Sequence, residues 1–110
     1  MNSADRFYLN RMHQYGQHIT TTLAKTDLPT FAANPVLQAA VTYWLLVIGE
    51  AAYVITSECQ SKHPDLPWRG LHYTRNYILQ NRLGLDPKIL WNTATRRIPA
   101  VNAYLAALLA

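Results

Sequence analysis

Three arginines, Arg69, Arg75 and Arg82, recur about seven positions apart between Leu66 and Gly84, interleaved with Trp68, His72, Tyr73 and Tyr77. Residues seven apart on a helix return to nearly the same angle, so this spacing predicts a loose cationic stripe. Guanidinium groups grip phosphates through a planar fork and aromatic rings stack on bases, so the stripe suits a nucleic-acid strand. A histidine or tyrosine beside an arginine-held phosphate is also what attack of a ribose 2′-OH on its own phosphodiester would need, with no metal. From the stripe alone the bland alternative, a solvated edge of a helical bundle, has the stronger claim, since single surface charges reveal little.

Charge is distributed unevenly along the 110 residues. Lys62, Arg69, Arg75, Arg82, Lys88, Arg96 and Arg97 face only Asp65 and Asp86 in their part of the chain, a local +5. The remainder carries Arg6, Arg11 and Lys25 against Asp5, Asp27, Glu50 and Glu58, a local −1. That asymmetry favours an anionic partner for the C-terminal half, nucleic acid before membrane.

Other chemistries find no support. There is no cysteine cluster, no HExxH and no glycine-rich phosphate loop, so no metal or cofactor is expected. His13 and His18 are five apart, not the three or four that would put two ligands on one helical face. Cys59 is the only cysteine, which excludes an intrachain disulfide and suits a reducing cytoplasm. As a lone thiol its default is a buried, inert one. The N-terminus is polar, without the early apolar run of a signal peptide. Val41 to Ile55, the most apolar stretch, is interrupted by Gly49 and Glu50 and falls short of a membrane span, so it reads as a core helix.

The elements that must position these groups are all helical. Length predicts one domain, 1–110, with one core. A first helix is expected from roughly Ser3 to Ala24, then a linker from Lys25 to Asn34. Asn34-Pro35 reads as a cap followed by proline at the first helical position, opening a second helix to about Ser61. Pro64 and Pro67 break the chain before the arginine-bearing third helix. Asp86-Pro87 opens a fourth, which Pro99 should kink or split, leaving a short fifth from Ala100 to Leu109. No segment alternates with period two, so the expectation is an all-α antiparallel bundle of four to five helices. Glu50 falls near the apolar face of the second helix and needs a partner if buried, Arg75 before Arg69; at the edge of the stripe it would stay wet.

At this point the residues carry a resemblance. Leu46-Val47-Ile48-Gly49-Glu50-Ala51-Ala52 is followed by His63-Pro64-Asp65-Leu66-Pro67-Trp68-Arg69, then Arg75-Asn76, Asp86, Trp91 and Ile98-Pro99. In order and spacing, Val41 to Ala110 resembles the HepT-like branch of the HEPN superfamily, small helical toxins paired with MntA-type nucleotidyltransferase antitoxins. The resemblance implies a HEPN-like bundle, a homodimer and metal-independent RNA cleavage where two chains meet. It also implies an Arg-Asn pair with a His five positions after the Arg and a Tyr two beyond that. Carried over, the pair is Arg75 and Asn76, but the His position holds Gln80 and the Tyr position Arg82.

Glutamine exchanges hydrogen bonds but is no acid or base near neutral pH. Arg82 has no phenolic hydroxyl for the antitoxin to adenylylate. His72, three before Arg75, is the candidate substitute base, with Tyr73 or Tyr77 for the phenol. The resemblance therefore implies an RNA-directed protein of a toxin–antitoxin pair, its RNA held by Arg69, Arg75 and Arg82, with cleavage weak or lost. The alternative is a non-catalytic helical module that binds RNA or a protein partner.

Overall fold

In the computed structural model, which describes residues 1–110 throughout, α1 (Ser3–Leu23) and α5 (Trp68–Asn81) pack on α3 (Pro35–Val54). Aromatic contacts pair Tyr15 with Tyr43 and His18 with Trp44, while Asp5 reaches Thr56, so α1 and α3 run antiparallel. Polar contacts pair Glu50 with Arg75 and Ala52 with His72, giving α3 and α5 the same relation. The last helix, α7 (Ile98–Leu109), closes the bundle against α1. No strand occurs, and the expected all-α bundle is what the chain forms.

Each start is written locally. Asn2 accepts from the Asp5 N–H at 2.7 Å and Asn34 from Leu37 at 3.0 Å, while Pro35 and Pro87 occupy first-turn positions where a missing N–H costs nothing. The core is one cluster that includes Leu9, Met12, Ile19, Leu45, Ile48, Leu71, Leu90, Ile98 and Leu105. α3 spans 20 residues with a mean hydropathy of 1.3, longer than the apolar stretch visible in sequence and enough, by length and composition, for a membrane span. Here it is the helix on which α1 and α5 pack.

Three boundaries differ from expectation. The second helix stops at Val54 instead of running to Ser61, and a short α4 (Ser57–Lys62) follows. Ile55 and Thr56 are extended because the buried carboxylate of Asp5 receives the Thr56 N–H at 3.0 Å and its hydroxyl at 2.6 Å. The 25–34 linker contains α2 (Leu28–Ala32), which Asp27 caps at 2.9 Å. Its Phe31 is fully buried against Trp91, worth about 2 kcal/mol. Pro99 does not split the last stretch. Between α6 (Pro87–Asn92) and α7, residues Thr93–Arg97 widen into a π turn, and the Ile98 N–H bonds the Thr93 carbonyl. The wide turn absorbs the N–H that Pro99 lacks, so the helix continues.

Candidate functional site

Arg75 lies midway along α5, where that helix comes closest to α3. A Cβ added at Gly49 would stand 2.7 Å from the Arg75 Cβ and 3.1 Å from the Leu71 carbonyl oxygen, so α5 rests directly on the glycine. Only a residue without a side chain permits that approach. It fixes where the Arg75 side chain starts. Arg75 Nε then donates to Glu50 Oε1 at 2.8 Å, Nη1 donates to Asn76 Oδ1 at 3.0 Å, and the guanidinium carbon lies 4.3 Å from the centre of the Tyr53 ring.

Glu50 therefore does have Arg75 as partner, and it also stays wet. Its side chain is 45% exposed against 22% for Arg75. At that exposure the pair contributes at most about 1 kcal/mol, so its chief effect is to aim the guanidinium. Two of its nitrogens are committed and Nη2 remains for a ligand oxygen. Sequence reasoning does not single out Tyr53. The signal is nonetheless there, since Glu50 and Tyr53 are three apart on α3 and share a face. His72 meets the Tyr53 ring edge-on, with ring centres 6.1 Å apart, and its Nε2 is 3.4 Å from the Ala52 carbonyl oxygen. Arg75 and His72 thus flank one tyrosine. On α1, Arg11 shares with Glu50 a small pocket of about 210 Å³.

The remaining candidates lie elsewhere. Gln80 and Arg82 line a shallow recess of about 420 Å³ at the end of α5 with Leu79, Asn81, Leu83 and Gly84, apart from the Arg75 cluster. Arg82 folds back so that Nη1 donates to the Leu79 carbonyl at 2.7 Å, covering one of the orphan acceptors of the helix end. Arg69 is exposed at the other end of α5, in a groove with Arg97. The expected single stripe of Arg69, Arg75 and Arg82 does not form. Six residues leave Arg69 about 120° around the helix from Arg75, and Arg82 curls onto the C-terminus. Tyr77 is occupied, accepting the Asp86 N–H at 2.9 Å, whereas Tyr73 is exposed.

Burial raises the pKa of the Cys59 thiol, and the nearby Asp5 carboxylate adds to the effect, so Cys59 is a poor nucleophile. No group of three His, Cys, Asp or Glu side chains converges as a metal site would require.

Residues 12–108 match the family described as Ribonuclease HepT-like. A candidate RNase of Caldanaerobacter subterraneus subsp. tengcongensis is 26% identical over 104 residues, spanning 94% of this chain and 93% of its own. A candidate HepT ribonuclease of Thermococcus cleftensis is 32% identical over 72 residues, 66% of each chain. A candidate RNase of Methanocaldococcus jannaschii is 29% identical over 95 residues, covering 86% of this chain and 82% of its own. No solved structure matches the chain at a significant level.

Proposed function

The chain belongs to the HepT-like ribonuclease family, and on that premise we propose that it is an RNA-directed member whose site grips RNA but cuts it weakly or not at all. The observation behind this reading is an arginine held in place by its neighbours, and the resemblance assigns the family's imidazole position to an amide, Gln80. Arg75 is braced by Glu50, Asn76 and Tyr53, while Gln80 sits exposed in a separate recess. In 2′-OH attack, the oxygen loses a proton as it closes on phosphorus, and the departing 5′-oxygen gains one. A fixed guanidinium stabilises the charge that builds on the phosphate oxygens. A carboxamide moves neither proton.

The relatives named as RNases support RNA as the ligand. A homodimer agrees with the exposed apolar side chains of α3, among them Tyr43, Tyr53 and Val54, and a cytoplasmic setting belongs to the same reading. Pairing with an MntA-type nucleotidyltransferase follows from the family's toxin–antitoxin arrangement. With Arg82 in place of the tyrosine, that partner would restrain the protein by binding alone.

A second reading has a specific observation in its favour. His72 and Arg75 flank the same Tyr53 ring, so an imidazole stands one helical turn from the guanidinium. The deciding experiment incubates a labelled pool of small RNAs with purified protein in chelator. The unmodified chain, Gln80→His/Arg82→Tyr, Arg75→Ala and His72→Ala are run side by side. The proposal expects RNA binding with little cleavage, and cleavage gained by the double variant. Robust cleavage by the unmodified chain that disappears with His72→Ala would overturn the proposal in favour of His72 as base. Absence of RNA binding would remove the RNA-directed reading altogether.

A further inference from the structure

A second cationic feature lies away from Arg75. α4, the first turn of α5 and the π turn enclose an open groove of about 540 Å³, lined by Gln60, Ser61, Trp68, Arg69, Gly70 and Arg97 among others. Two unrelated features of the backbone converge on Arg97. The π turn shifts it from the line that a regular helix would give it. Gly70 then leaves room for its guanidinium, because a Cβ at that position would collide with Arg97 Nη1. Alanine there would push the guanidinium out.

Neither arginine of the groove has a carboxylate partner. The two ion pairs of the chain are Lys62–Glu58 and Arg75–Glu50, and no Asp or Glu lines the groove. Its other polar groups are already committed. Ser61 donates to the Ser57 carbonyl at 2.9 Å, Gln60 to the Ile55 carbonyl at 3.0 Å and the Trp68 indole to the His63 carbonyl at 2.9 Å. What faces solvent is a pair of planar, permanently charged forks from two elements, with Arg96 exposed alongside.

We propose that this groove is a second phosphate site, in which Arg69 and Arg97 carry the sugar–phosphate backbone of the RNA beyond the Arg75 cluster. The inference rests on the RNA-directed reading and extends it. Each guanidinium presents a planar fork to phosphate oxygens, and its charge is not cancelled by the protein. An acidic protein surface fits less well, because it would have to bring carboxylates to both guanidiniums at once, whereas an RNA strand carries a charge on every nucleotide.

The test is fluorescence anisotropy with a labelled single-stranded RNA across a salt series, for the unmodified chain, Arg69→Ala, Arg97→Gln, Arg97→Lys and Arg75→Ala. Arg69→Ala and Arg97→Gln should each weaken binding about three- to tenfold at low salt and flatten the slope of log K against log salt by about 0.7 for each phosphate no longer held. Arg97→Lys should keep most of the slope, which separates charge from packing, and Arg69 is exposed enough that its removal leaves the fold intact. Unchanged slopes in Arg69→Ala and Arg97→Gln, with Arg75→Ala still impaired, would overturn the groove and leave the Arg75 reading standing. RNA binding absent from every protein would overturn both. Polyglutamate displacing the probe as well as unlabelled RNA does would overturn the assignment to RNA in favour of an acidic polypeptide.

Discussion

The middle of α5 and its C-terminal end bear the same kinds of residue in opposite settings. At the middle, Arg75 is held from three sides and its helix lies on Gly49. At the end, Gln80 is exposed, Arg82 merely covers its own helix terminus, and Leu83 stands wholly in solvent. A guanidinium braced in advance loses little freedom on meeting a phosphate, whereas a free one must be ordered at that moment. On the proposed reading, the group that grips phosphate and the positions that the resemblance links to proton transfer therefore stand apart on α5. Substitution at positions 80 and 82 is then expected to leave the bracing of Arg75 undisturbed.

The largest effect that would break this contrast is expected from Gly49→Val. The added carbons meet Arg75 and the Leu71 carbonyl, so urea denaturation should show a loss of about 3 kcal/mol, with RNA binding reduced as α5 moves off α3. Arg75→Ala should fold normally and weaken RNA binding about tenfold, the scale of one charge-assisted hydrogen bond. Lys25→Ala is the fitting control, because Lys25 is exposed beyond α1 while Arg11 shares a pocket with Glu50. Glu50→Gln sharpens the same point in the other direction. Removing the carboxylate charge should raise RNA affinity about two- to threefold at low salt while changing stability by less than about 1 kcal/mol. Smallest of all, Gln80→His/Arg82→Tyr should leave the unfolding midpoint within the span of about 0.5 kcal/mol usual for exposed sites. A larger loss there would mean that the end of α5 is structural after all.

Much of the site is legible because its signals are local. Arg75–Asn76 and Gly49–Glu50 are neighbours within single helices. The Glu50–Arg75 pair, which crosses from α3 to α5, follows instead from a carboxylate's need for a partner near an apolar face. Three- or four-residue spacing tells which side chains of one helix share a face. Tyr53 lies one step of that same rule beyond Glu50, so it too was within reach of the sequence. The arginine stripe fails because Arg69 and Arg75 are six apart rather than seven, and because a residue at a helix end bonds the carbonyls left open there. The Arg97 groove could not be foreseen at all, since Arg97 and Gly70 are distant in sequence and meet only across the packed bundle.

The sequence by itself determined the helical class, the caps and proline starts, and the net charge of the C-terminal half, because each depends on a residue and its near neighbours. Tertiary structure alone decided where α3 ends, through a buried aspartate near the N-terminus that captures Thr56. It alone decided that Pro99 is absorbed in a π turn, and which arginines keep their charge free. Those outcomes depend on hydrogen bonds and contacts between segments far apart in the chain, whose geometry exists only once the core has packed.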